Sequence, residues 1–373
     1  MLNFVYNFFV FETLQIVGQA YRGYGYSYLK NKIVFVPFTL EQDKVKVKII
    51  QEKKNYMVGK VVTIIEGSKN RKKPFCKYFG VCGGCHYQHI HYNKQLNIKA
   101  QILKNILKRI GKIEVDNINI IKTKQTFYRH RVKFQQKGEN IGFFKQSSND
   151  FLAIDFCPIL EKPINDYIKN HKKDKNIEID SFSKLTTKKG DLLKLDLSFI
   201  TKDTYLEYPM GVFTQINLHA NKELIKIITN LVDDNNVLEA FCGIGNFTIP
   251  LGLLGHTVDA FEVDKIAINT LQQNSQRLSL KINATCYDLN KKLNYERPIG
   301  TIILDPPRSG CPALMNFINE KKPRKIIYVS CEPPTLARDI SMLKNYSIEK
   351  IFLIDMFANT YHFETVAVLS INK

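Results

Sequence analysis

The sequence predicts an α/β protein whose C-terminal half forms a mainly parallel, doubly wound sheet. From about Asn217 onward, helix-patterned and strand-patterned segments alternate. A loop with two glycines joins the first of these strands to a helix, and an acidic residue ends the second strand. Such alternation is typical of parallel sheets covered by helices on both faces. The preceding sequence is mostly β-patterned, which indicates at least one further domain in a chain of 373 residues.

Residues 12–66 are predicted to form a small barrel of the oligonucleotide-binding type, because short β-patterned segments follow one another with few helix signals. The clearest of these segments are Lys32–Pro37, Lys44–Ile50 and Tyr56–Ile65. Arg22 lies among tyrosines at positions 21, 24, 26 and 28. Their rings either stack on nucleic-acid bases or alternate between core and surface, and the pattern does not decide between the two.

The middle of the chain begins with a predicted amphipathic helix over about residues 92–110, with Gly111 as its cap. Mostly β-patterned sequence follows, from Lys112 to about Val212, with a loop-like polar stretch near Lys169–Lys175. We therefore predict three domains, at residues 1–66, 67–212 and 213–373. The amphipathic helix is a candidate for packing on the last of them.

The C-terminal half is assigned element by element from its periodicity. Helices are predicted at Leu218–Leu231, Phe247–Leu254 and Ile266–Leu278. Strands are predicted at Asn236–Ala240, Thr257–Glu262, Asn283–Tyr287, Gly300–Leu304, Lys325–Val329, Ser347–Ile354 and Phe363–Ile371.

The chain is strongly basic, with 54 Lys and Arg against 35 Asp and Glu and a formal charge of +19. Such an excess favours a polyanionic partner, RNA or DNA, although a lysine-rich composition bias also produces it. The first ten residues lack the features of a signal peptide, and no run approaches the roughly 18 apolar residues of a membrane span. A cytoplasmic location is therefore expected, where the eight cysteines serve metal binding or catalysis before disulfides.

The loop after the first C-terminal strand contains Gly243 and Gly245, which allow backbone N–H groups to approach a ligand closely. Glu262, at the end of the second strand, is placed to accept hydrogen bonds from ribose hydroxyls. The third glycine of a dinucleotide fingerprint is missing near Thr248. This combination favours S-adenosylmethionine over a dinucleotide.

Two further residues follow later strands of the same sheet: Asp305, in an Asp-Pro-Pro turn, and Cys331. Ligands of open α/β sheets bind beyond the carboxyl ends of the strands, so both are expected to face one crevice with Gly243. A cysteine at a strand end inside a cleft is a candidate nucleophile. Taken alone, each has a plainer interpretation, a packing thiol for Cys331 and a solvated turn for Asp305.

A cysteine cluster, Cys76-x5-Cys82-Gly-Gly-Cys85, has metal-ligand spacing. Cys157 is the one cysteine outside this cluster and the C-terminal half, and it is the candidate fourth ligand. Zinc and an iron–sulfur cluster both accept four thiolates, so spacing alone does not separate them.

Four motifs, in this order, make the chain resemble the S-adenosylmethionine-dependent RNA uracil-5-methyltransferases. They are Phe241-Cys-Gly-Ile-Gly-Asn-Phe-Thr248, Asp305-Pro-Pro-Arg-Ser-Gly310, Ser330-Cys331 with Pro334-Thr-Leu-Ala-Arg-Asp339, and Asp355-Met-Phe with Thr360, His362 and Glu364. The resemblance covers nearly the whole chain. It implies a Rossmann-like methyltransferase domain, an N-terminal oligonucleotide-binding-like TRAM barrel and a central β-rich iron–sulfur domain.

The same resemblance implies roles for individual residues. Cys331 would add to C6 of uracil, and Glu364 would remove the proton from C5. A [4Fe–4S] cluster would be held by Cys76, Cys82, Cys85 and Cys157. Contacts to S-adenosylmethionine are implied for Gln215, Phe241, Gly243, Gly245, Asn246, Glu262, Asp288 and Asp305, and contacts to the base for Asp305 and Arg308.

The TRAM-like barrel and the cysteine cluster together resemble the branch of the family that modifies 23S ribosomal RNA, with a tRNA T-loop uridine as the alternative target. We expect a monomer that binds RNA. A catalytically silent RNA-binding factor and an NAD-dependent oxidoreductase are the other classes considered. Two residues depart from the family pattern: Glu332, where Asn is usual, and Ala358, where Pro is usual.

Overall fold

The computed structural model describes residues 11–170, 178–180 and 192–372, the middle segment by its backbone. The first ten residues and most of the polar stretch near Lys169–Lys175 lie outside the described residues. The chain divides into two compact units. Unit 1 comprises residues up to 102, 140–154 and 359–361, and unit 2 comprises residues 103–139, 155–358 and those from 362 onward. The three-domain division stays a prediction.

The N-terminal part of unit 1 is a six-stranded sheet in the order β1-β5-β6-β4-β3-β2. Its strands are β1 (Phe11–Gln15), β2 (Gly18–Ala20), β3 (Tyr24–Leu29), β4 (Lys32–Pro37), β5 (Lys44–Glu52) and β6 (Tyr56–Glu66). The alternation in β5 decides which face is buried: Val45 and Val47 enter the core while Lys46 is exposed. This agrees with the predicted segments and with the basic outer face.

The tyrosines of β3 share one face of this sheet. Tyr24, Tyr26 and Tyr28 are half-buried or exposed, whereas the intervening Gly25 and Ser27 are buried. Because strand residues two apart point the same way, the three rings lie together on the outer side. They do not alternate between core and surface.

The remaining elements continue in chain order. They are α1 (Tyr92–Ile106), β7 (Asn119–Ile121), β8 (Arg131–Lys133), β9 (Gln135–Lys137), β10 (Asn140–Phe144), β11 (Phe151–Ala153), α2 (Lys162–Asn170), β12 (Glu178–Asp180), β13 (Leu192–Asp196), β14 (Tyr205–Pro209), α3 (Leu218–Leu231), β15 (Asn236–Ala240), α4 (Thr248–Leu253), β16 (Thr257–Glu262), α5 (Lys265–Arg277), β17 (Ile282–Cys286), β18 (Thr301–Leu304), α6 (Pro312–Lys321), β19 (Lys325–Ser330), α7 (Pro333–Ser341), β20 (Tyr346–Ile354) and β21 (Glu364–Ile371).

Unit 2 is built on an eight-stranded sheet in the order β17-β16-β15-β18-β19-β21-β20-β7. The strands from β17 to β19 are parallel, and β21 inserts antiparallel between β19 and β20. Successive residues of one strand enter opposite cores: Ile303 packs in the cluster with α3, and Ile302 in the cluster with α6. The sheet is therefore covered on both faces, and the predicted doubly wound fold is confirmed. Among the described residues, no helix combines the length and the apolar character that crossing a bilayer requires.

Three helices were not predicted, and two of them begin at prolines. α6 and α7 start at Pro312 and Pro333, because the first turn of a helix needs no backbone N–H from its opening residues. α2 lies in the stretch predicted as mostly β-patterned, and that prediction is wrong here. Its buried Ile164, Tyr167 and Ile168 are spaced at one helical turn. Because the helix has only 9 residues, this spacing does not repeat often enough to be recognised in the sequence.

The amphipathic helix ends differently from the prediction. After α1, a π-helical turn covers Leu107–Gly111, and Lys112 adopts the left-handed cap conformation with φ of 57°. Gly111 is therefore not the cap. Glycine is required there because a Cβ atom would lie 3.0 Å from the carbonyl oxygen of Ala337 in α7. This turn packs on α7 within unit 2.

Candidate active site

A cavity of ≈ 640 Å³ opens in unit 2 where β15, β16, β18 and β19 end. Parallel strands present their carboxyl ends at one edge, so the loops that follow them meet there. The structure brings most predicted site residues of unit 2 into its wall: Gln215, Phe241, Gly243, Asn246, Glu262, Asp288, Asp305, Arg308, Cys331 and Glu364.

The glycine loop after β15 is shaped for close approach of a ligand. Phe241 and Gly243 both have positive φ, of 65° and 53°. The Gly243 N–H donates to Oε2 of Glu262 at 3.2 Å, and no atom outside the immediate chain lies within 4 Å of where its Cβ would be. The loop therefore leaves open space above Gly243.

Gly245 packs closely against the two helices that follow the glycine loop. Its φ is +96°, and a Cβ atom there would lie 2.6 Å from Leu271 of α5 and 3.0 Å from Ile249 of α4. It is not among the residues that line the cavity. Its small size lets the loop pack on the two helices, so it supports the cofactor loop from behind.

Glu262 is held rigidly at the end of β16. Its Oε1 accepts the N–H groups of Val263 at 2.7 Å and Asp264 at 3.0 Å, while Oε2 accepts that of Gly243. A carboxylate fixed in this way is well suited to accept hydroxyl hydrogen bonds from a ribose. Asn246 is fixed as well, because its side-chain amide exchanges two hydrogen bonds with that of Asn221.

Cys331 and Glu364 meet through the pairing of two strands. In the antiparallel β19–β21 ladder, Ser330 lies opposite Thr365. One step further along this register places Cys331, which follows β19, opposite Glu364, which begins β21. Cys331 is half-buried, and Glu364 is 4% exposed. The two residues that the sequence separates by a strand, a helix and a loop thus face one cavity.

The electrostatics of Cys331 identify the group that favours its thiolate. Burial raises the pKa of the thiol to about 12, and the neighbouring Glu364 and Asp305 carboxyls act in the same direction. Arg308 opposes them through its charge and through a hydrogen bond to the thiol. The sequence did not show which neighbour performs this task.

Two of the carboxyl groups that line the cavity, those of Asp305 and Glu364, hold their protons unusually firmly. Burial, with a contribution from the Glu262 charge, raises the pKa of Asp305 to about 7. Burial also raises the pKa of Glu364 well above its usual range, and Asp305 adds to this while Arg308 opposes it. Once ionised, a carboxylate in such surroundings is a stronger base than it is in water.

The loop that carries Arg308 is tied to α7 by Asp339, which is fully buried. Its Oδ2 accepts the Cys311 N–H and the Tyr328 hydroxyl, each at 2.7 Å. Its Oδ1 accepts from Arg338, whose guanidinium also donates to the Ser309 carbonyl at 2.7 Å. Asp339 therefore fixes the loop of Arg308 relative to the helix that begins after Cys331.

The two departures from the family pattern are accommodated by backbone contacts. Glu332 precedes α7, and its carbonyl accepts the N–H of Thr335 at 3.1 Å and of Leu336 at 3.2 Å, while its side chain makes no capping hydrogen bond. Ala358 is fully buried, and its carbonyl accepts the Tyr128 hydroxyl at 2.9 Å.

Sequence reasoning missed Phe213, which lines the cavity, and the buried Glu239. Phe213 lines the cavity while 77% exposed, which leaves a flat aromatic face available to a ligand. Glu239 is buried in β15, where Thr248 donates to it at 2.5 Å, and burial raises its pKa to about 8. An acidic residue inside an otherwise apolar strand was the available signal for Glu239, whereas nothing in the sequence distinguished Phe213 from other exposed aromatics.

The cysteines of the predicted cluster are half-buried. In unit 1, the Gly84 N–H points at Cys82 Sγ at 3.4 Å; burial raises the pKa of Cys82, and Cys76 is close enough to add to this. In unit 2, the side-chain amide of Asn165 accepts the backbone N–H of Cys157 at 2.8 Å and donates to the Cys157 carbonyl at 3.0 Å, which fixes that loop. Thiols with N–H donors suit a metal or cluster chemically, although within the described ranges no three His, Cys, Asp or Glu side chains are grouped to hold a metal ion.

Fold and site define a class, the Rossmann-like methyltransferases that use S-adenosylmethionine, here with a cysteine in the cavity. A TRAM domain model matches residues 12–62. The model of the tRNA (uracil-5-)-methyltransferase family matches residues 168–284 and 288–372, and the chain belongs to this family. It is an RNA uracil-C5-methyltransferase.

Several curated relatives match nearly end to end. An uncharacterized RNA methyltransferase of Aquifex aeolicus is 29% identical over 411 residues, with 94% of this chain and 96% of the relative covered. The 23S rRNA (uracil(1939)-C(5))-methyltransferase RlmD of Shewanella sediminis is 28% identical over 423 residues, covering 96% of both chains.

Among solved structures, the tRNA (uracil-54, C5)-methyltransferase of Pyrococcus abyssi in complex with S-adenosyl-L-homocysteine has a TM-score of 0.72. It is 23% identical, and the match covers 96% of this chain and 100% of that chain. At this level of identity the likeness shows a shared fold.

Proposed function

We propose that the protein methylates C5 of a uridine in 23S ribosomal RNA, with Cys331 as the nucleophile and Glu364 as the base. The observation that carries this proposal is the β19–β21 register, which sets the thiol opposite a buried carboxyl in the cavity that also contains the glycine loop. A nucleophile and a proton acceptor are both needed, because C5 of uracil is a poor nucleophile until C6 has been attacked. No oxidoreductase and no silent binding factor requires this pair.

In the proposed reaction, the Cys331 thiolate forms a bond to C6, and the electron pair of the C5–C6 double bond moves into an enolate. Bound S-adenosylmethionine supplies an electrophilic methyl group, which C5 takes as the bond from that methyl to sulfur breaks. Glu364 then accepts the C5 proton. The returning electron pair restores the double bond and expels Cys331 as a thiolate.

The other cavity residues support these reaction steps by favouring the thiolate and by binding the base and the cofactor. Arg308 favours the thiolate by charge and hydrogen bond, as its effect on the Cys331 pKa indicates. The target base has to leave its stack to reach the cavity, and the exposed ring of Phe213 offers it a replacement stacking surface. We assign Gln215, Phe241, Gly243, Gly245, Asn246, Glu262, Asp288 and Asp305 to the cofactor, and Asp305 and Arg308 also to the base; all of them except Gly245 line the cavity.

The RNA target is proposed from the relatives and the N-terminal barrel. Relatives named RlmD match 95–96% of the chain, and a TRAM domain model matches its residues 12–62. The alternative target is tRNA, on which the Pyrococcus abyssi enzyme of the same fold acts.

Tritium transfer from labelled S-adenosylmethionine to separated ribosomal and transfer RNA pools, both from cells lacking the enzyme, tests this assignment. We expect label in the 23S pool with the wild-type protein and none with Cys331→Ala, which removes the nucleophile. Cys286→Ala, a change of an exposed thiol outside the cavity, is the matched control and should label normally. Label in tRNA alone would contradict the target, and label with Cys331→Ala would contradict the mechanism.

We further propose that Cys76, Cys82, Cys85 and Cys157 hold a [4Fe–4S] cluster with a structural role. The half-buried thiols and the Gly84 N–H directed at Cys82 support this set, and the family resemblance favours iron over zinc. Anaerobically purified protein should be brown, and Cys82→Ser should lose the absorbance, with Cys286→Ser as the matched control. Zinc without iron in metal analysis would overturn the proposal.

A further inference from the structure

Unit 1 contains a second cavity, of ≈ 170 Å³, that the reaction described above does not use. Five separate stretches of chain form its wall. They are Arg22, Gly23, Tyr24, Pro37 and Phe38 of the N-terminal sheet, Gly83 and His86 beside the cysteine cluster, Gln146 and Ser147 in the β10–β11 turn, and Tyr361. This volume is below the roughly 300 Å³ at which small-molecule sites usually begin. The cavity therefore has room for a single ring system.

Backbone hydrogen bonds hold these stretches together. The Gly83 N–H donates to the Phe144 carbonyl at 3.1 Å, and the Gln146 N–H donates to that of Val81 at 2.8 Å. The His86 N–H donates to the Asn359 carbonyl at 2.9 Å. A wall fixed by main-chain bonds keeps its shape before a ligand arrives, which lowers the cost of binding.

The cavity offers aromatic surface. The ring centroids of His86 and Tyr361 are 4.6 Å apart at an interplanar angle of 64°. Both residues line the cavity. Aromatic side chains at such a wall provide a stacking surface for an unstacked base.

Arg22 adds a positive charge at the rim of the cavity. Its side chain is exposed, and its backbone is held at φ of 69°, next to Gly23 at 85°. A left-handed conformation at a non-glycine residue is strained and tends to occur where function requires it. A guanidinium beside aromatic rings recognises a phosphate or stacks on a base.

We propose that this cavity binds one unstacked nucleobase of the RNA substrate, other than the uridine that is methylated, with Arg22 on the adjoining phosphate. The inference rests on the proposed function, because it assumes an RNA substrate. Single-stranded RNA is recognised largely by stacking splayed-out bases on aromatic side chains, and the cavity provides such a surface. The net charge of +19 favours the same partner.

Fluorescence anisotropy with two labelled strands tests the inference. One is oligouridylate of about 12 nucleotides, within the range that an oligonucleotide-binding barrel covers. The other is the same ribose-phosphate backbone without bases. His86→Ala should weaken oligouridylate binding about fivefold or more, as expected for loss of one stacked base, and leave the abasic strand unchanged. His86→Phe, which keeps a ring, should restore most of the loss.

Arg22→Gln changes an exposed side chain and is therefore informative even if His86→Ala folds poorly. It should weaken binding of both strands and lower the salt slope by about 0.7, the value for one phosphate on a single strand. Matched controls lie on the same sheet outside the cavity: Lys60→Gln for charge and Tyr28→Ala for an exposed ring. Both should stay within about twofold of wild type.

The outcomes separate this inference from the proposed function. A wild-type protein that neither binds oligouridylate nor methylates RNA would contradict both. If the wild type binds and methylates, and His86→Ala and Arg22→Gln both bind oligouridylate as it does, only the second nucleobase site is refuted. Equal losses in Tyr28→Ala and His86→Ala would also refute it, because they would assign binding to the outer aromatic face of the sheet.

Discussion

At the scale of single residues, the chemistry of the cavity depends on a balance of charges around Cys331. Burial and two carboxyl groups raise the pKa of the thiol, and Arg308 is the cation that counters them. The entry of a sulfonium cofactor into the same cavity would add positive charge and favour ionisation further. Without the cofactor the Cys331 thiol therefore stays protonated at neutral pH. We expect it to become reactive when the cofactor is bound.

Replacing Arg308 with Gln should raise the pKa of Cys331, because removal of a positive neighbour disfavours the thiolate. At a fixed pH between 7 and 10, alkylation of Cys331 by iodoacetamide should slow by about tenfold if the pKa rises by about one unit. The rate is measured by mass spectrometry of the Cys331 peptide, with the exposed Cys286 as an internal standard.

A matched control for this variant is Arg324→Gln. Arg324 precedes β19, at the opposite end of the strand from Cys331, and pairs with Asp233. Its loss should leave Cys331 alkylation unchanged. Unaltered alkylation in Arg308→Gln would show that this residue does not set the thiol pKa.

The sequence identified candidate site residues better than their interactions. Cys331 and Glu262 were recognisable because each lies at the end of a patterned strand. The contact of Arg308 with the thiol was not, since it depends on the exact path of a loop that Asp339 fixes from another element. Pairing between strands far apart in the chain likewise set Glu364 opposite Cys331, which alternation within β21 does not reveal.

At the scale of elements, α7 joins the nucleophile to the loop of Arg308. The buried Asp339 accepts hydrogen bonds from Cys311, Tyr328 and Arg338, which come from three adjoining segments. A carboxylate buried with several donors is stabilising when complete and leaves unsatisfied groups when one partner is altered. The network therefore holds α7, β19 and the loop of Arg308 in fixed positions relative to one another.

Asp339→Asn should lower the free energy of unfolding by about 2 kcal/mol, because the amide cannot accept on both sides as the carboxylate does. It should also lower methyl transfer, since the loop of Arg308 loses its anchor. Urea denaturation and tritium transfer measure the two effects. Asp203→Asn, an exposed change in the same unit, should alter stability by less than about 0.5 kcal/mol. Normal stability of Asp339→Asn would contradict the bracing role.

Elements were predictable where their periodicity was long and less so where special residues began them. The strands and helices from α3 to α5 were located within a residue or two, because their apolar patterns are sustained. α6 and α7 were missed because prolines resemble strand breakers in a sequence, although they also suit the first turn of a helix. The close contact of Gly245 with α5 was likewise not predictable, because it depends on how the helix packs against the loop.

At the scale of the whole molecule, the excess of basic residues is the dominant property. With 54 basic against 35 acidic side chains, the protein repels itself and attracts polyanions. Charges of this kind strengthen RNA binding with little regard for sequence, while we expect base contacts to come from the two cavities. The amino-acid composition alone predicts this excess of positive charge.

Binding of single-stranded RNA should therefore weaken steeply with salt. The logarithm of the association constant should fall linearly with the logarithm of salt concentration, with a slope of about −0.7 per phosphate neutralised. Anisotropy titrations with oligouridylate between low and moderate salt measure it. A flat response would contradict electrostatic RNA binding and favour a lysine-rich composition without a polyanionic partner.

The position of β21 also bears on the order in which the catalytic pair can form. The ribosome makes β21 after both of its neighbours, β19 and β20, between which it inserts. Until then these strands present unpaired edges to each other, and Cys331 has no Glu364 opposite it. A chain that has not closed this gap therefore lacks the proposed proton acceptor, and we expect a nascent or partly folded molecule to be inactive.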